Sequence, residues 1–166
     1  MKIFPFERIN YRTRLSEDEI IKRLNDMVEP EKLLLFRFLS RKLTKPYEGH
    51  INTRKFSIRR IIDYGNSFHP RIKGELQKDS NGMTINIKMR LNIYAIIFLS
   101  IWYGAIGFAF IVLLTSQLLD RRFNPAILIL LGFIAFAYSL SRKFFKLESD
   151  KSIKDLSQIL ELEGIK

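Results

Sequence analysis

The sequence has no cysteine and only two histidines, His50 and His69, among its 166 residues. The absence of cysteine excludes disulfides, thiol nucleophiles and cysteine-based metal sites. Neither histidine has a second ligand at the spacing that places two metal-binding side chains on one helix face. The sequence also has no nucleophile elbow, P-loop or dinucleotide fingerprint. It therefore predicts a non-enzymatic protein that uses no cofactor and no metal ion.

Charged residues are missing from two long apolar runs, Ile93 to Leu119 and Phe123 to Ser141. As helices that rise about 1.5 Å per residue, these runs would be roughly 40 Å and 28 Å long, against a hydrocarbon core of about 30 Å. Each run can therefore cross a bilayer once. Only three residues, 120–122, separate the two runs. The sequence thus predicts a transmembrane α-helical hairpin with a tight turn.

Basic residues are unequally divided between the two ends of this hairpin. Two lie in the turn, and eight lie close to the ends that continue into the rest of the chain. Because the cytoplasmic flanks of membrane spans carry an excess of Lys and Arg, the asymmetry predicts that both termini are cytoplasmic and that the hairpin lies in the cell's inner membrane. The eight flanking residues are Lys78, Lys88, Arg90, Arg142, Lys143, Lys146, Lys151 and Lys154.

The apolar runs divide the chain into three parts, and the predicted fold class is an α+β membrane protein. A small antiparallel sheet with flanking helices is joined to the transmembrane hairpin. No internal repeat or flexible linker marks a second soluble domain. The parts are a cytoplasmic α+β domain at 1–92, a hairpin at 93–145 with spans at about 93–119 and 124–142, and a cytoplasmic C-terminal amphipathic helix at 146–166.

Local patterns predict the elements of the first domain. Alternating apolar and polar residues predict a strand over residues 7–15. Ser16 and Glu19 form a capping box that opens a helix, which continues up to Pro30. From Glu48 onward the apolar period is two, which predicts four consecutive antiparallel strands leading into the first span. The four strands are predicted at about 48–53, 56–64, 71–77 and 83–91.

Two further helices are predicted. Pro30 can start a helix over residues 31–44, which either grips the sheet as part of the core or lies among lipid headgroups. Residues 151–163 have an apolar stripe at helical spacing. This stripe predicts a separate short helix that Ser149 or Ser152 would cap.

The order of these elements resembles a truncated helix-grip fold of the START-like class, whose sheet curls around a long C-terminal helix. Residues 56–70 also read F-x-I-x-R-x-I-x-Y-x-N-S-F-x-P. This segment resembles one in small bacterial two-span membrane proteins of uncharacterised function. The resemblance implies Arg in place of Gly65 and an aliphatic residue in place of His69, so the chain departs from the pattern twice. It implies membership of that group and no activity.

Arg60 stands out because alternation places it on the inward strand face, together with Phe56 and Ile58. A buried guanidinium needs a carboxylate, several carbonyls or a bound anion. Glu7 shares the inward phase of the first strand and could be the partner. Three interpretations are open: a structural ion pair, a bulge that turns Arg60 to solvent, and a buried anion site.

Basic residues also collect on the strand faces opposite the core. They either form a solvated surface, bind anionic lipid headgroups at about 1 kcal/mol for each residue, or bind an acidic protein partner. Nucleic acid is disfavoured, because no exposed aromatics alternate with the basic positions. The residues predicted to contact headgroups are Arg12, Arg71, Lys73, Lys88 and Arg90.

A stripe of small residues, Ser100, Gly104 and Gly107, lies in the first span beside Trp102 and Tyr103. The two aromatics are about 15 Å below Asn92, too deep for an interfacial belt. We therefore expect them to pack against a helix, where the indole N–H and the phenol O–H can find partners. That helix is either the second span or a span of another subunit, which would make the protein a homo-oligomer.

Together these features predict a membrane-anchored binding or assembly module with a basic cytoplasmic domain at the inner leaflet. One alternative is an oligomerising effector that perturbs the membrane or forms a pore, although the spans lack the polar residues of a standing aqueous channel. The other follows from the helix-grip resemblance, which implies a lipid or hydrophobic ligand between sheet and helices.

Overall fold

The computed structural model describes residues 4–31, 45–62, 68–79, 82–121 and 123–164. The mixed α+β class is confirmed: the described part of the chain holds one seven-stranded sheet and three helices. In chain order the elements are β1 (Phe6–Thr13), α1 (Glu17–Met27), β2 (Val28–Pro30), β3 (Tyr47–Ile51), β4 (Lys55–Arg60), β5 (Pro70–Asp79), β6 (Gly82–Leu91), α2 (Ile93–Asp120), α3 (Ala126–Ile159) and β7 (Glu163–Gly164).

Helix α1 begins as predicted, because the Oγ of Ser16 accepts a hydrogen bond from the backbone N–H of Glu19 at 3.3 Å. The helix start predicted at Pro30 is wrong. The chain becomes extended at Val28 (φ −111°, ψ 127°), and β2 then pairs in parallel with β3. Glu31 is not helical, and the rest of the predicted helix, residues 32–44, lies outside the described residues.

The sheet has the strand order β2-β3-β4-β5-β6-β1-β7, and every neighbouring pair except β2–β3 is antiparallel. The predicted run of four antiparallel strands is confirmed as β3 to β6, although β4 ends at Arg60, four residues before the predicted end.

Gly74 on β5 lies under the aromatic ring of Phe56 on β4, so that a Cβ at position 74 would overlap the ring. Glycine is therefore required there for close packing.

One face of the sheet, which we call the inner face, packs against α1 and the C-terminal part of α3. The alternation of β6 produces this face, since its odd-numbered residues 83 to 91 are all buried. The opposite, outer face carries the polar residues of the same alternation. The fully buried side chains of the core at 0% exposure are Ile20, Leu24, Tyr47, Ile58, Ile72, Ile85, Ile87, Met89, Leu156 and Leu160.

Helix α3 is one continuous helix of 34 residues, so the separate C-terminal helix predicted over residues 151–163 is wrong. Ser149 and Ser152 lie buried inside α3 and cap nothing. Residues 142–159 contain no Gly or Pro that would end the helix earlier. Its buried positions recur at helical spacing, and this stripe carries α3 onto the sheet. They are Phe145, Glu148, Ser149, Ser152 and Leu156.

Helices α2 and α3 are both long and apolar enough to cross a membrane, with mean hydropathies of 2.4 and 1.6 over their most apolar windows. Only 6% and 11% of the residues in those windows are buried. Large side chains such as Phe108 and Phe136 are 71% and 65% exposed. Arg121, in the left-handed conformation at φ 50°, ends α2 and starts the turn.

Candidate functional site

The outer face carries a row of charges at the end of the sheet nearest α2. Strand register places Glu48, Arg59, Arg71, Arg90 and Phe6 directly beside one another on β3, β4, β5, β6 and β1. We call these five residues the proximal row. Three arginines side by side would repel one another, so this arrangement requires compensating groups.

Carboxylates and an aromatic ring compensate the arginines of the proximal row. The Nε of Arg59 donates to the Oε1 of Glu48 at 2.7 Å, and the Glu48 side chain is only 3% exposed. Glu31 bridges two arginines, with its carboxylate 2.7 Å from Arg71 and 3.6 Å from Arg59. The guanidinium of Arg90 lies over the ring of Phe6 at 5.0 Å from its centroid.

A second row lies two residues further from α2. It consists of His50, Ser57, Lys73, Lys88 and Arg8, again on β3, β4, β5, β6 and β1, and we call it the distal row. Within the described ranges, no carboxylate lies at ion-pair distance from its two lysines or its arginine. The first four members of the row line a cleft of about 320 Å³ on the outer face.

Arg12 belongs to neither row. It pairs with Thr84, six residues before Arg90 on β6, which corresponds to about 20 Å along the strand. Its guanidinium instead lies 3.5 Å from the carboxylate of Asp79. Of the five residues predicted to contact headgroups, the structure thus brings Arg71, Arg90 and the two lysines together and places Arg12 at the opposite end of the sheet.

Arg60 points to the inner face, as the alternation predicts, and lies beside α3. Its guanidinium is 3.8 Å from Glu148 and 3.8 Å from Asp155. The hydroxyl of Tyr47 donates to Asp155 at 3.1 Å, and burial, followed by the charge of Asp155, raises the pKa of Tyr47. The ion-pair interpretation therefore fits the geometry, and the partners are carboxylates of α3.

Glu7, the partner that the sequence suggested for Arg60, contacts a different part of α3. Its carboxylate lies 2.7 Å from the Nζ of Lys146 and accepts a hydrogen bond from the hydroxyl of Ser149. Hydrogen bonds to Asp150 and then to Glu7 raise the pKa of Lys146. The assignment of Glu7 to Arg60 is wrong, because α3 lies against the inner face and supplies a nearer partner to each.

The small-residue stripe of α2 does not face α3. A Cβ on Gly104 or Gly107 would have no atom within 4 Å, and Ser100 is exposed. Trp102 and Tyr103 contact each other edge to face at 5.7 Å, and Tyr103 packs against the core cluster. Both aromatics are half-buried, and the phenol O–H of Tyr103 has no hydrogen-bond partner among the described residues, contrary to the expectation. The glycines stay available to a helix outside the chain.

Sequence reasoning did not identify Glu31, Glu48, Glu148 or Asp155 as partners of the arginines. Glu48 had a usable signal, since the predicted antiparallel pairing of its strand with the next could place it opposite Arg59. The others come from segments whose position on the sheet no local pattern specifies. In the described part of the chain, no group of three or more His, Asp or Glu residues is placed to hold a metal ion.

Comparison of the chain with models of protein families, with curated proteins and with solved structures gives no match. The resemblance of residues 56–70 to small bacterial two-span proteins stays an interpretation of the sequence.

Proposed function

We propose that the chain is a membrane-anchored binding module, in which α2 and the first part of α3 cross the inner membrane and hold the basic outer face of the sheet at anionic lipid headgroups. The single observation that carries this proposal is the position of the proximal row, immediately beside the start of an exposed apolar helix.

The low burial of the two apolar helices supports insertion. The core helix of a soluble protein can be equally apolar, but its most apolar stretch is then mostly buried. Here 6% and 11% of the corresponding windows are buried, and Phe108 on α2 and Phe136 on α3 are more than half exposed. A surface of this kind in water would cost free energy in proportion to its area, whereas hydrocarbon solvates it without that cost.

The junctions between hairpin and sheet support a fixed position at the membrane surface. Only Asn92 separates β6 from α2, and its side chain accepts a hydrogen bond from the N–H of Tyr94 at 3.5 Å. Helix α3 continues from the hairpin onto the inner face without a break. The sheet is thus attached through both helices, which leaves it little freedom to move away from the bilayer.

Strand geometry identifies the basic residues that reach headgroups. Arg90 is three residues before α2, at most about 10 Å along the strand, while the headgroup layer is about 5–8 Å thick. Long side chains extend their charged ends towards that layer. On α3 the exposed Arg142 and Lys143 directly follow the second apolar run. These three residues surround the membrane end of the domain.

The helix-grip alternative gains no support from the described residues, because side chains at 0% exposure fill the interface between the sheet and its helices. The outward-facing Gly104 and Gly107 are compatible with assembly through a second copy. They do not by themselves favour a pore.

The first prediction concerns topology. We expect a fluorescent reporter fused after residue 166 to be active in the cytoplasm, and a periplasm-dependent reporter inserted after Asp120 to be active outside it, because the flanking basic residues stay on the cytoplasmic side. Four lysines inserted at the same point should weaken or invert this orientation. A C-terminal reporter found in the periplasm would refute the proposed position of the sheet.

The second prediction concerns headgroups. The full chain, reconstituted in mixed phosphatidylcholine and phosphatidylglycerol and extracted in mild detergent, is expected to retain phosphatidylglycerol in native mass spectra. Arg90→Glu should lower this retention about fivefold or more, since one basic residue contributes about 1 kcal/mol at an anionic surface.

The matched control for this experiment is Arg14→Glu. Arg14 follows β1 at the end of the sheet away from α2, and its side chain is 86% exposed. The same charge change there should leave lipid retention as in the natural sequence. Equal retention by the Arg90→Glu variant and the unchanged chain would show that the proximal row does not bind headgroups.

A further inference from the structure

We propose that the distal row is a binding site for a soluble phosphomonoester that also carries hydroxyl groups, such as a sugar phosphate. This inference rests on the proposed function only for the position of the bilayer. Its evidence is the charge of the row, the cleft beside it and one buried acceptor.

The charges of the distal row are not balanced within the described residues. Lys73 and Lys88 are direct cross-strand partners, and Lys88 and Arg8 are partners on the next pair of strands. Like charges directly opposite each other destabilise a sheet. The proximal row has Glu48 and Glu31 beside its arginines. In the distal row Glu31 lies 3.4 Å from His50, but among the described residues no carboxylate is within ion-pair distance of the two lysines or of Arg8. A phosphate dianion would offset two of the three positive charges of this row through short charge-assisted hydrogen bonds.

The cleft supplies room and further polar groups. Its volume of about 320 Å³ lies at the small end of the range for ligand pockets. Ser57 lines it next to the lysines, so that a hydroxyl is available beside the phosphate, and His50 lines it with its imidazole 3.4 Å from Glu31. The carboxylate of Glu75, which also lines the cleft, is paired with Lys55 at 3.2 Å. The Oδ1 of Asn86, which also lines the cleft, is buried and has no hydrogen-bond donor among the described residues. If the Asn86 amide turns towards the cleft, a hydroxyl group on the ligand would supply that donor.

The distance from the membrane favours a soluble ligand over a lipid. Lys88 is five residues before α2, up to about 17 Å along β6, whereas the headgroup layer is about 5–8 Å thick. The proximal row therefore lies between the distal row and the bilayer. A ligand that approaches from the aqueous side reaches the lysines without passing the proximal row.

The test is isothermal titration calorimetry on the full chain in nanodiscs of phosphatidylcholine alone. The probes are glucose 6-phosphate, inorganic phosphate and glucose. We expect glucose 6-phosphate to bind more tightly than inorganic phosphate and glucose to give no signal. Lys73→Glu should weaken binding of glucose 6-phosphate at least about tenfold, since a hydrogen bond between charged groups is worth about 1.5–3 kcal/mol. Asn86→Ala should reduce the affinity for glucose 6-phosphate to the affinity for inorganic phosphate.

Two controls separate loss of the site from loss of the fold. The Lys73→Glu variant should melt at the same or a higher temperature, because a carboxylate at that position would face Lys88. Lys22→Glu makes the same charge change at an exposed position of α1 and should bind as the unchanged chain does. Because these nanodiscs contain no anionic lipid, the result does not depend on whether the proximal row binds headgroups.

Two results would overturn the proposal. One is glucose 6-phosphate binding that Lys73→Glu leaves unchanged. The other is binding found only with nanodiscs that contain phosphatidylinositol 4-phosphate, without binding of the soluble probes, which would assign the row to a lipid headgroup.

Discussion

Truncation of the chain after residue 145 is expected to unfold the sheet, although it leaves every strand from β1 to β6 and the whole hairpin intact. The removed segment carries Leu156 and Leu160, both at 0% exposure in the core. Loss of a buried Leu side chain alone typically costs about 2–5 kcal/mol, and folded domains are stable by only about 5–15 kcal/mol. The inner face would also lose the carboxylates that pair with Arg60.

Hydrogen–deuterium exchange of residues 70–91, measured for both chains in one mild detergent, reports whether the sheet unfolds. We expect strong protection in the full chain and little in the truncated one. A chain ending after residue 162, which lacks β7 but keeps all of α3, is the matched control and should stay protected. Protection that survives the truncation at 145 would mean that the sheet folds without residues 146–166, and the C-terminal part of α3 would then not be needed for the fold.

The second large effect is expected at Glu148, whose side chain is 3% exposed and lies between Arg60 and Lys151. Replacing Glu148 with alanine should lower the free energy of unfolding by about 2–3 kcal/mol, because it leaves the guanidinium of Arg60, whose side chain is only 29% exposed, with one carboxylate fewer. The free energy of unfolding is measured by urea titration of the full chain in detergent, with amide exchange in β4 and β5 as the readout.

A double variant tests whether charge or packing causes this loss. Arg60→Met together with Glu148→Leu removes both charges and fills similar volumes, so it should regain most of the stability. Glu161→Ala breaks an ion pair with Arg23 in which the glutamate is 57% exposed, and it should cost no more than about 1 kcal/mol. If Glu148→Ala lowers the free energy of unfolding no more than Glu161→Ala does, the ion pair with Arg60 contributes little to stability.

The core of the α+β domain includes residues that lie outside 1–92. A fragment of residues 1–92 would contain β1 to β6 and α1 but would lack four buried residues of the core, Leu99, Phe145, Leu156 and Leu160. Binding experiments on such a fragment would confuse loss of fold with loss of function. Binding is therefore measured on the whole chain.

Local sequence patterns determined the elements that depend on near neighbours. The apolar runs predict α2 and the first part of α3, because a helix of that length and composition depends only on its own residues. Ser16 and Glu19 predict the start of α1 for the same reason, and strict alternation predicts β6 and its two faces. The error at Pro30 arose where a short strand depends on a partner 19 residues away, since Val28 pairs with Tyr47.

Only the tertiary structure decided which charges meet. Alternation placed Arg60 and Glu7 on the inward faces of their strands, but their partners are Glu148 and Lys146, more than 80 residues further along the chain. Long-range pairing depends on the path of α3 across the sheet, and no local pattern encodes that path. Strand register likewise grouped the outer charges into two rows and placed Arg12 elsewhere, because a register is a property of two strands and cannot be read from either alone.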